Sequence, residues 1–284
     1  MGDRTKIDWC DASWNPVTGC LHGCEYCYAH RMIDRFKMSS KDMGERYSTI
    51  GKNQDIFRSP RTGDALVVLK EPYQSGLIGD PTGKLKTEPY PAGFNPTLHL
   101  YRLDIPRRWT RPRTIFVCSM ADLFGEWVPD DWIIDVLNAC RLAPQHRYLF
   151  LTKNPDRYDE LEDKDIITDK DTNFWLGSTV TVETRDKLHY NKALHTFQSC
   201  EPMLAPWPPA GTPNPDSMRE GYMPEWVIFG AETGNRKDKV VPEKAWVDNA
   251  VQMCRNIKAK VFMKESLRGI MGADFVQEFP WEIN

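Results

Sequence analysis

Residues 114–120 read TIFVCSM, an apolar run with a β-branched bias. Such a run fits a strand buried on both faces. Pro129-Asp130-Asp131 follows as a helix start, with proline and acids in the first turn. Trp132, Ile133, Val136, Leu137 and Cys140 then recur at helical spacing and predict one buried stripe. The same order repeats down the chain. Residues 148–152 (YLFLT) predict a strand and Asn154-Pro155-Asp156 opens a short helix. Residues 174–180 predict a strand, 183–195 a polar helix and 196–200 a weaker strand. Residues 226–230 (WVIFG) predict a strong strand, followed by a helix from about Pro242 that buries Trp246, Ala250, Met253 and Ile257. Residues 261–264 close the series. Strands alternating with helices argue an α/β fold with a parallel sheet. No glycine-rich dinucleotide fingerprint follows any strand, which disfavours a Rossmann arrangement.

Polar residues stand just after nearly every predicted strand: Ser119 and Asp122, Thr152 and Lys153, Ser178 and Thr179, Glu201, Glu232, Lys264. In a (β/α) barrel those ends share the face that carries the active site. Strand ends that meet solvent are polar for a plainer reason, so each residue alone is ambiguous. Residues 44–96 differ, being rich in Gly and Pro around one strand-like run at 65–69. They predict an insertion or lid on a single barrel domain spanning 1–284. Residues 202–224 hold seven prolines and predict a surface loop.

Composition narrows the function classes. Hydrophobic residues make up 40% and charged residues 27%, which is globular and excludes wholesale disorder. With 37 Lys and Arg against 40 Asp and Glu, the formal charge of −3 excludes a histone-like polycation. No run approaches the roughly 18 apolar residues of a membrane span. The start, MGDRTKIDWC, lacks the apolar core of a signal peptide. The expectation is a soluble, cytoplasmic protein with no membrane partner.

The eight cysteines fall at 10, 20, 24, 27, 118, 140, 200 and 254. Disulfide frameworks belong to small secreted domains, and this chain is long enough to build a core without them. Three cysteines crowd into Gly19-Cys20-Leu21-His22-Gly23-Cys24-Glu25-Tyr26-Cys27-Tyr28, spaced C-x3-C-x2-C. Three thiolates on one loop can ligate three irons of a [4Fe–4S] cube and leave the fourth iron open. Zinc competes, with His22 or His30 as a fourth ligand, although structural zinc commonly uses two separated Cys pairs. Cys10, Cys118, Cys140 and Cys254 read as small buried hydrophobes. Cys200, beside Glu201 at a strand end, is a weak candidate for a catalytic hydrogen donor.

CLHGCEYCYA resembles the radical S-adenosylmethionine signature, C-x3-C-x-aromatic-C, and more narrowly the spore photoproduct lyase and DNA-repair-photolyase-like branch. The whole chain resembles a phage-associated radical-SAM-like family of largely unknown function. Segments carrying that likeness include KIDWCDASWNPVTGC, IFVCSMADLFGEWVP, WLGSTVT, CEPML, WVIFGAETG and VFMKE. The resemblance implies a partial or full (β/α) barrel of radical SAM type, with an insertion after the cluster loop. It implies a [4Fe–4S] cluster on Cys20, Cys24 and Cys27, with S-adenosylmethionine as cosubstrate and an external one-electron reductant. It further implies that Tyr26 packs beside the cluster and adenine. Ser119, Asp122, Lys153, Ser178, Thr179, Gly230 and Glu232 would then contact S-adenosylmethionine.

The substrate stays open between a nucleic acid or nucleotide and a peptide or small metabolite. Arg102, Arg107, Arg108, Arg111 and Arg113, interrupted by Trp109, could track phosphates and stack a base, or form a solvated face.

Overall fold

The computed structural model describes residues 5–34, 54–76, 85–181, 184, 194–207, 224–234 and 236–282. The predicted helix at 183–195 and most of the proline-rich loop fall outside them. The fold is mixed α/β, built on a curled seven-stranded sheet with the arrangement of a partial barrel. Its strands are β1 (Ala12–Trp14), β8 (Thr114–Val117), β9 (Arg147–Thr152), β10 (Phe174–Thr179), β11 (His195–Cys200), β12 (Trp226–Phe229) and β13 (Lys260–Met263). They lie side by side in that order. From β9 to β13 every neighbouring pair runs parallel. The alternation in the sequence therefore predicted the sheet, and strand bounds differ from expectation by one residue except at 114–120, which ends three residues early at Val117.

Every residue of β8, β10 and β12 is buried, as expected for parallel strands covered on both faces. The helix Asp130–Arg141 buries Trp132, Ile133, Val136, Leu137 and Cys140, the predicted stripe. The helix Lys244–Asn256 departs from expectation. Its fully buried line is Val247, Ala250 and Cys254, with Trp246, Met253 and Ile257 packing only at its margins. Large side chains at the flanks of a stripe cover core without entering it, which periodicity alone does not reveal. Among the described residues, no helix is long and apolar enough to cross a membrane.

The chain divides into two compact units, the first built chiefly from Ser13–Pro112 and Phe116–His146, the second from Arg4–Ala12, Arg113–Ile115 and Arg147–Asn284. In the first, the strand-like run at 65–69 is β4 (Ala65–Leu69) of a four-stranded sheet. Its other strands are β2 (Val17–Thr18), β7 (Thr97–His99) and β3 (Gln54–Arg58), in the order β2-β7-β4-β3. A two-stranded ribbon of β5 (Gln74–Gly76) and β6 (Leu85–Thr87) lies between β4 and β7 in the chain. Much of the expected insertion is thus regular structure, paired through β7 to the short strand that precedes the cysteine loop.

In the second unit, aromatic rings gather at the amino ends of the strands. Trp226 packs edge-on to Trp9, Trp175, Phe262 and Trp281, with ring centroids 5.2 to 6.5 Å apart. Gly177, in the middle of β10, is where Phe197 of β11 crosses. A Cβ there would lie 2.3 Å from the Phe197 ring and 2.7 Å from the Phe150 carbonyl oxygen. Gly177→Ala should therefore cost about 1–3 kcal/mol through overpacking. Exposed helical Gly269 has nothing within 4 Å of the place a Cβ would take. Alanine there should be tolerated or gain up to about 1 kcal/mol. Thermal or denaturant unfolding of the two variants checks the contrast.

Candidate functional site

The cysteine loop leaves the first unit's sheet at Gly19, and local sequence dictates how. Gly19 has φ +85, and a Cβ on it would stand 2.2 Å from the Asn95 carbonyl oxygen. Only glycine meets both demands, left-handed backbone and contact distance. The Gly19 N–H donates to the Met120 carbonyl at 2.9 Å, and the Cys20 N–H donates to the Phe94 carbonyl at 3.2 Å. The start of the loop is thereby held by two segments distant in sequence. Gly23, with φ +66, turns the chain again between Cys20 and Cys24. A turn from the Cys27 N–H to the Cys24 carbonyl, 3.1 Å, closes the motif, and the helix Tyr28–Asp34 begins immediately. The His30 N–H donates to the Cys27 sulfur at 3.4 Å, and Arg31 reaches back to the Tyr26 carbonyl at 3.1 Å.

The turn after β8 forms the other wall. The predicted strand at 114–120 stops at Val117 because Cys118 adopts φ 59, a left-handed conformation rare for a residue with a Cβ. Buried Asn15 locks that bend: its Oδ1 accepts from the Met120 N–H at 2.9 Å and from Ser119 Oγ at 3.2 Å. The Ser119 carbonyl accepts from the Tyr28 hydroxyl. Asp122 is buried, with Oδ1 accepting from the Phe124 N–H at 3.1 Å and Oδ2 lying 2.7 Å from His22 Nε2. The His22 ring stands edge-on to Trp127 at 4.9 Å. Ser119 and Asp122 thus border the cysteine loop, and Asp122 already holds a partner from it.

All eight cysteines are free thiols. Cys20, Cys24 and Cys27 are half-buried, whereas Cys118, Cys140, Cys200 and Cys254 are buried. Burial pushes the Cys20 thiol up to about 12, and the Asp122 carboxylate, Cys27 and Cys24 push the same way. Cys20 therefore keeps its proton without a cation nearby. A thiolate-bound metal group supplies that positive charge, so the donor set fits such a group. Among the described residues, no three His, Cys, Asp or Glu side chains are gathered about one metal position.

A family model described as a protein of unknown function, DUF5131, matches residues 4–68 and 81–269. The chain belongs to the DUF5131 family. No curated protein and no solved structure matches it. The DUF5131 match takes in the cysteine loop, both segments that hold it and every strand of the seven-stranded sheet. It omits 69–80, inside the stretch read from the sequence as an insertion.

The second unit of this DUF5131 chain carries the remaining predicted residues at strand ends. Lys153 stands half-buried just past β9. Ser178 and Thr179 end β10 and are both buried, on opposite faces of the strand. The Thr179 carbonyl accepts from Thr184 Oγ1 at 2.6 Å. Glu232 has its carboxylate clamped by Arg236 at 2.7 and 2.8 Å, with the side chain 1% exposed. A ligand cation at Asp122 or Glu232 would compete with His22 or Arg236. Cys200 packs in an apolar cluster with Met203, Val227, Phe229 and Cys254, which favours a packing role over chemistry for that thiol.

Of the predicted arginines, Arg107, Arg108 and Arg111 are exposed and Arg113 is half-buried. Arg108 pairs with Asp104 on its own turn. Arg102 is buried and cannot meet a phosphate at the surface, which corrects the five-arginine stretch. Its placement was illegible because the five residues look alike in sequence. Sequence reasoning also missed the ion pair of Glu201 with Lys264, Oε1 to Nζ 2.5 Å, formed across the end of β12. Gly230 makes that crossing feasible, since a Cβ there would lie 3.0 Å from Glu201 Cγ.

Asp122 offers a direct check on the loop. In the metal-free chain at about pH 8, raised Cys20 holds little thiolate, the form that alkylates. Asp122→Asn removes a raising cause, so the pKa falls and thiolate grows, about tenfold per unit. Iodoacetamide labelling with peptide mapping should show faster modification of Cys20. The rate should stay below that of an unfolded thiol, because burial remains. An unchanged rate would remove Asp122 from the electrostatics of the loop.

Proposed function

We propose that this protein is a radical S-adenosylmethionine enzyme that holds a [4Fe–4S] cluster on Cys20, Cys24 and Cys27. The observation that carries the reading is the loop itself: three free thiols, half-buried, spaced C-x3-C-x2-C, directly after the short strand Val17–Thr18 in an α/β fold whose strands β9 to β13 run parallel. The chemistry such a cluster supplies is one-electron reductive cleavage of S-adenosylmethionine, to methionine and a 5′-deoxyadenosyl radical that abstracts hydrogen from a substrate.

The chain's own residues supply position and environment. Gly19 and the carbonyls of Phe94 and Met120 fix where the first thiol leaves the sheet. The His30 N–H donates to the Cys27 sulfur at 3.4 Å and so helps fix where that thiol sits. Tyr26 lies directly before the last ligand, its carbonyl tied to Arg31. Asn15 fixes the turn that carries Ser119 and Asp122. In the second unit, Lys153, Ser178, Thr179, Gly230 and Glu232 are the residues we assign by resemblance to the cosubstrate. The reductant is external. A nucleic acid or nucleotide is the substrate class we favour, supported by the photolyase-like motif and by exposed Arg107 and Arg111.

Anaerobic reconstitution with iron and sulfide tests the reading. The protein should turn brown and, with dithionite, slowly release 5′-deoxyadenosine from S-adenosylmethionine. Alanine at Cys20, Cys24 or Cys27 should abolish both, while Cys140→Ala and Cys254→Ala should keep the cluster and lose stability as buried residues do. A colourless wild-type protein that binds one zinc would overturn the assignment in favour of a zinc site.

A further inference from the structure

Arg102 ends the single turn Leu100–Arg102 and is 3% exposed. Its Nη1 donates to the Asn15 carbonyl at 3.0 Å and its Nη2 to the Pro89 carbonyl at 2.8 Å. Its Nε is buried and has no hydrogen-bond partner among the described residues. The guanidinium also lies 5.3 Å from the Tyr101 ring centroid. Among the described residues, the titratable groups that act on its charge are Tyr101, Tyr90 and Cys118, and no carboxylate is among them. Burial, the largest cause, and Arg102 itself hold nearby His99 neutral, well below its usual range. A buried cation resting on neutral carbonyls and a tyrosine is costly, because removal from water is not offset by an opposite charge.

Both contacts lead to the cysteine loop. Asn15, whose carbonyl takes Nη1, uses its side chain to hold the Ser119–Met120 turn, and Met120 in turn holds Gly19. Pro89, whose carbonyl takes Nη2, precedes the turn from Tyr90 to Asn95, where the Phe94 carbonyl holds Cys20. Arg102 therefore braces both segments that pinch the start of the loop, and it brings the first unit a buried positive charge.

We propose that Arg102 is a positioning residue for the cysteine loop and that its counter-charge is the set of thiolates the loop carries when loaded. This rests on the cluster reading above. A fixed cation stabilises the more negatively charged, reduced form of a cluster, so it raises the reduction potential. Coulombic attraction of this kind persists beyond contact distance inside a protein, where screening is weak.

The test is a potentiometric titration of the reconstituted full-length protein. Arg102→Gln keeps donors for the two carbonyls and removes the charge. It should lower the equilibrium constant for reduction about tenfold, a shift of about 59 mV to more negative potential for one electron. Arg102→Lys keeps the charge and loses the fork, and should stay close to wild type. That pattern is not what a purely structural brace would give, since a brace is damaged at least as much by losing its fork as by losing its charge. If Arg102→Gln does not fold, Arg102→Lys decides alone: a wild-type potential supports the proposal and a lowered one overturns it. Equal potentials in wild type and Arg102→Gln overturn it while leaving the cluster reading intact. A wild-type chain that takes up no iron–sulfur cluster overturns both.

Discussion

Two backbone hydrogen bonds, from Gly19 to Met120 and from Cys20 to Phe94, determine where the cysteine loop leaves the sheet. Everything proposed for this protein depends on that pinch. It requires a glycine, since a Cβ at position 19 would overlap the Asn95 carbonyl. It also requires that two segments, about seventy-five and one hundred residues further along the chain, be brought to the same place. The β2–β7 pairing delivers the first of these and the β1–β8 neighbourhood the second. The loop is consequently a product of tertiary structure at its base, however local its cysteine spacing looks.

The electrostatics of the first unit follow from the same arrangement. Burial and a neighbouring carboxylate keep Cys20 protonated. A buried arginine a few hydrogen bonds away has only neutral partners among the described residues. Each feature alone costs free energy, the first by opposing ionisation of a ligand, the second by burying a charge. On the proposed reading, binding a cationic metal group by thiolates would relieve both at once: the metal would offset the thiolates, and the net negative assembly the arginine. Such mutual relief suits a site that is stable only when loaded.

The second unit is organised differently. Its charged strand-end residues are already matched, Glu232 with Arg236 and Glu201 with Lys264. Any ligand there must exchange with an existing partner, which makes recognition depend on charge replacing charge. At the opposite ends of the same strands, aromatic rings around Trp226 fill the space that polar residues would otherwise leave wet. Rigidity at one end and exchangeable polar groups at the other is the usual division in parallel α/β sheets.

The α/β class, the succession of strands from β8 onward and the stripe of the helix Asp130–Arg141 were all legible in the sequence. These depend on local periodicity and burial of continuous apolar runs, which neighbours in sequence encode. The cysteine spacing was legible too, because three cysteines close together in sequence need no long-range information. Nothing in the sequence showed that Val247 rather than Trp246 enters the core, or that residues 65–69 join the sheet of the strand before the loop. Nor did it show that Arg102 turns inward while Arg107 and Arg111 face water. Those outcomes belong to the folded chain. Side chains of one type become different things according to the solvent and partners around them, and the chain sets those only when segments far apart in sequence meet.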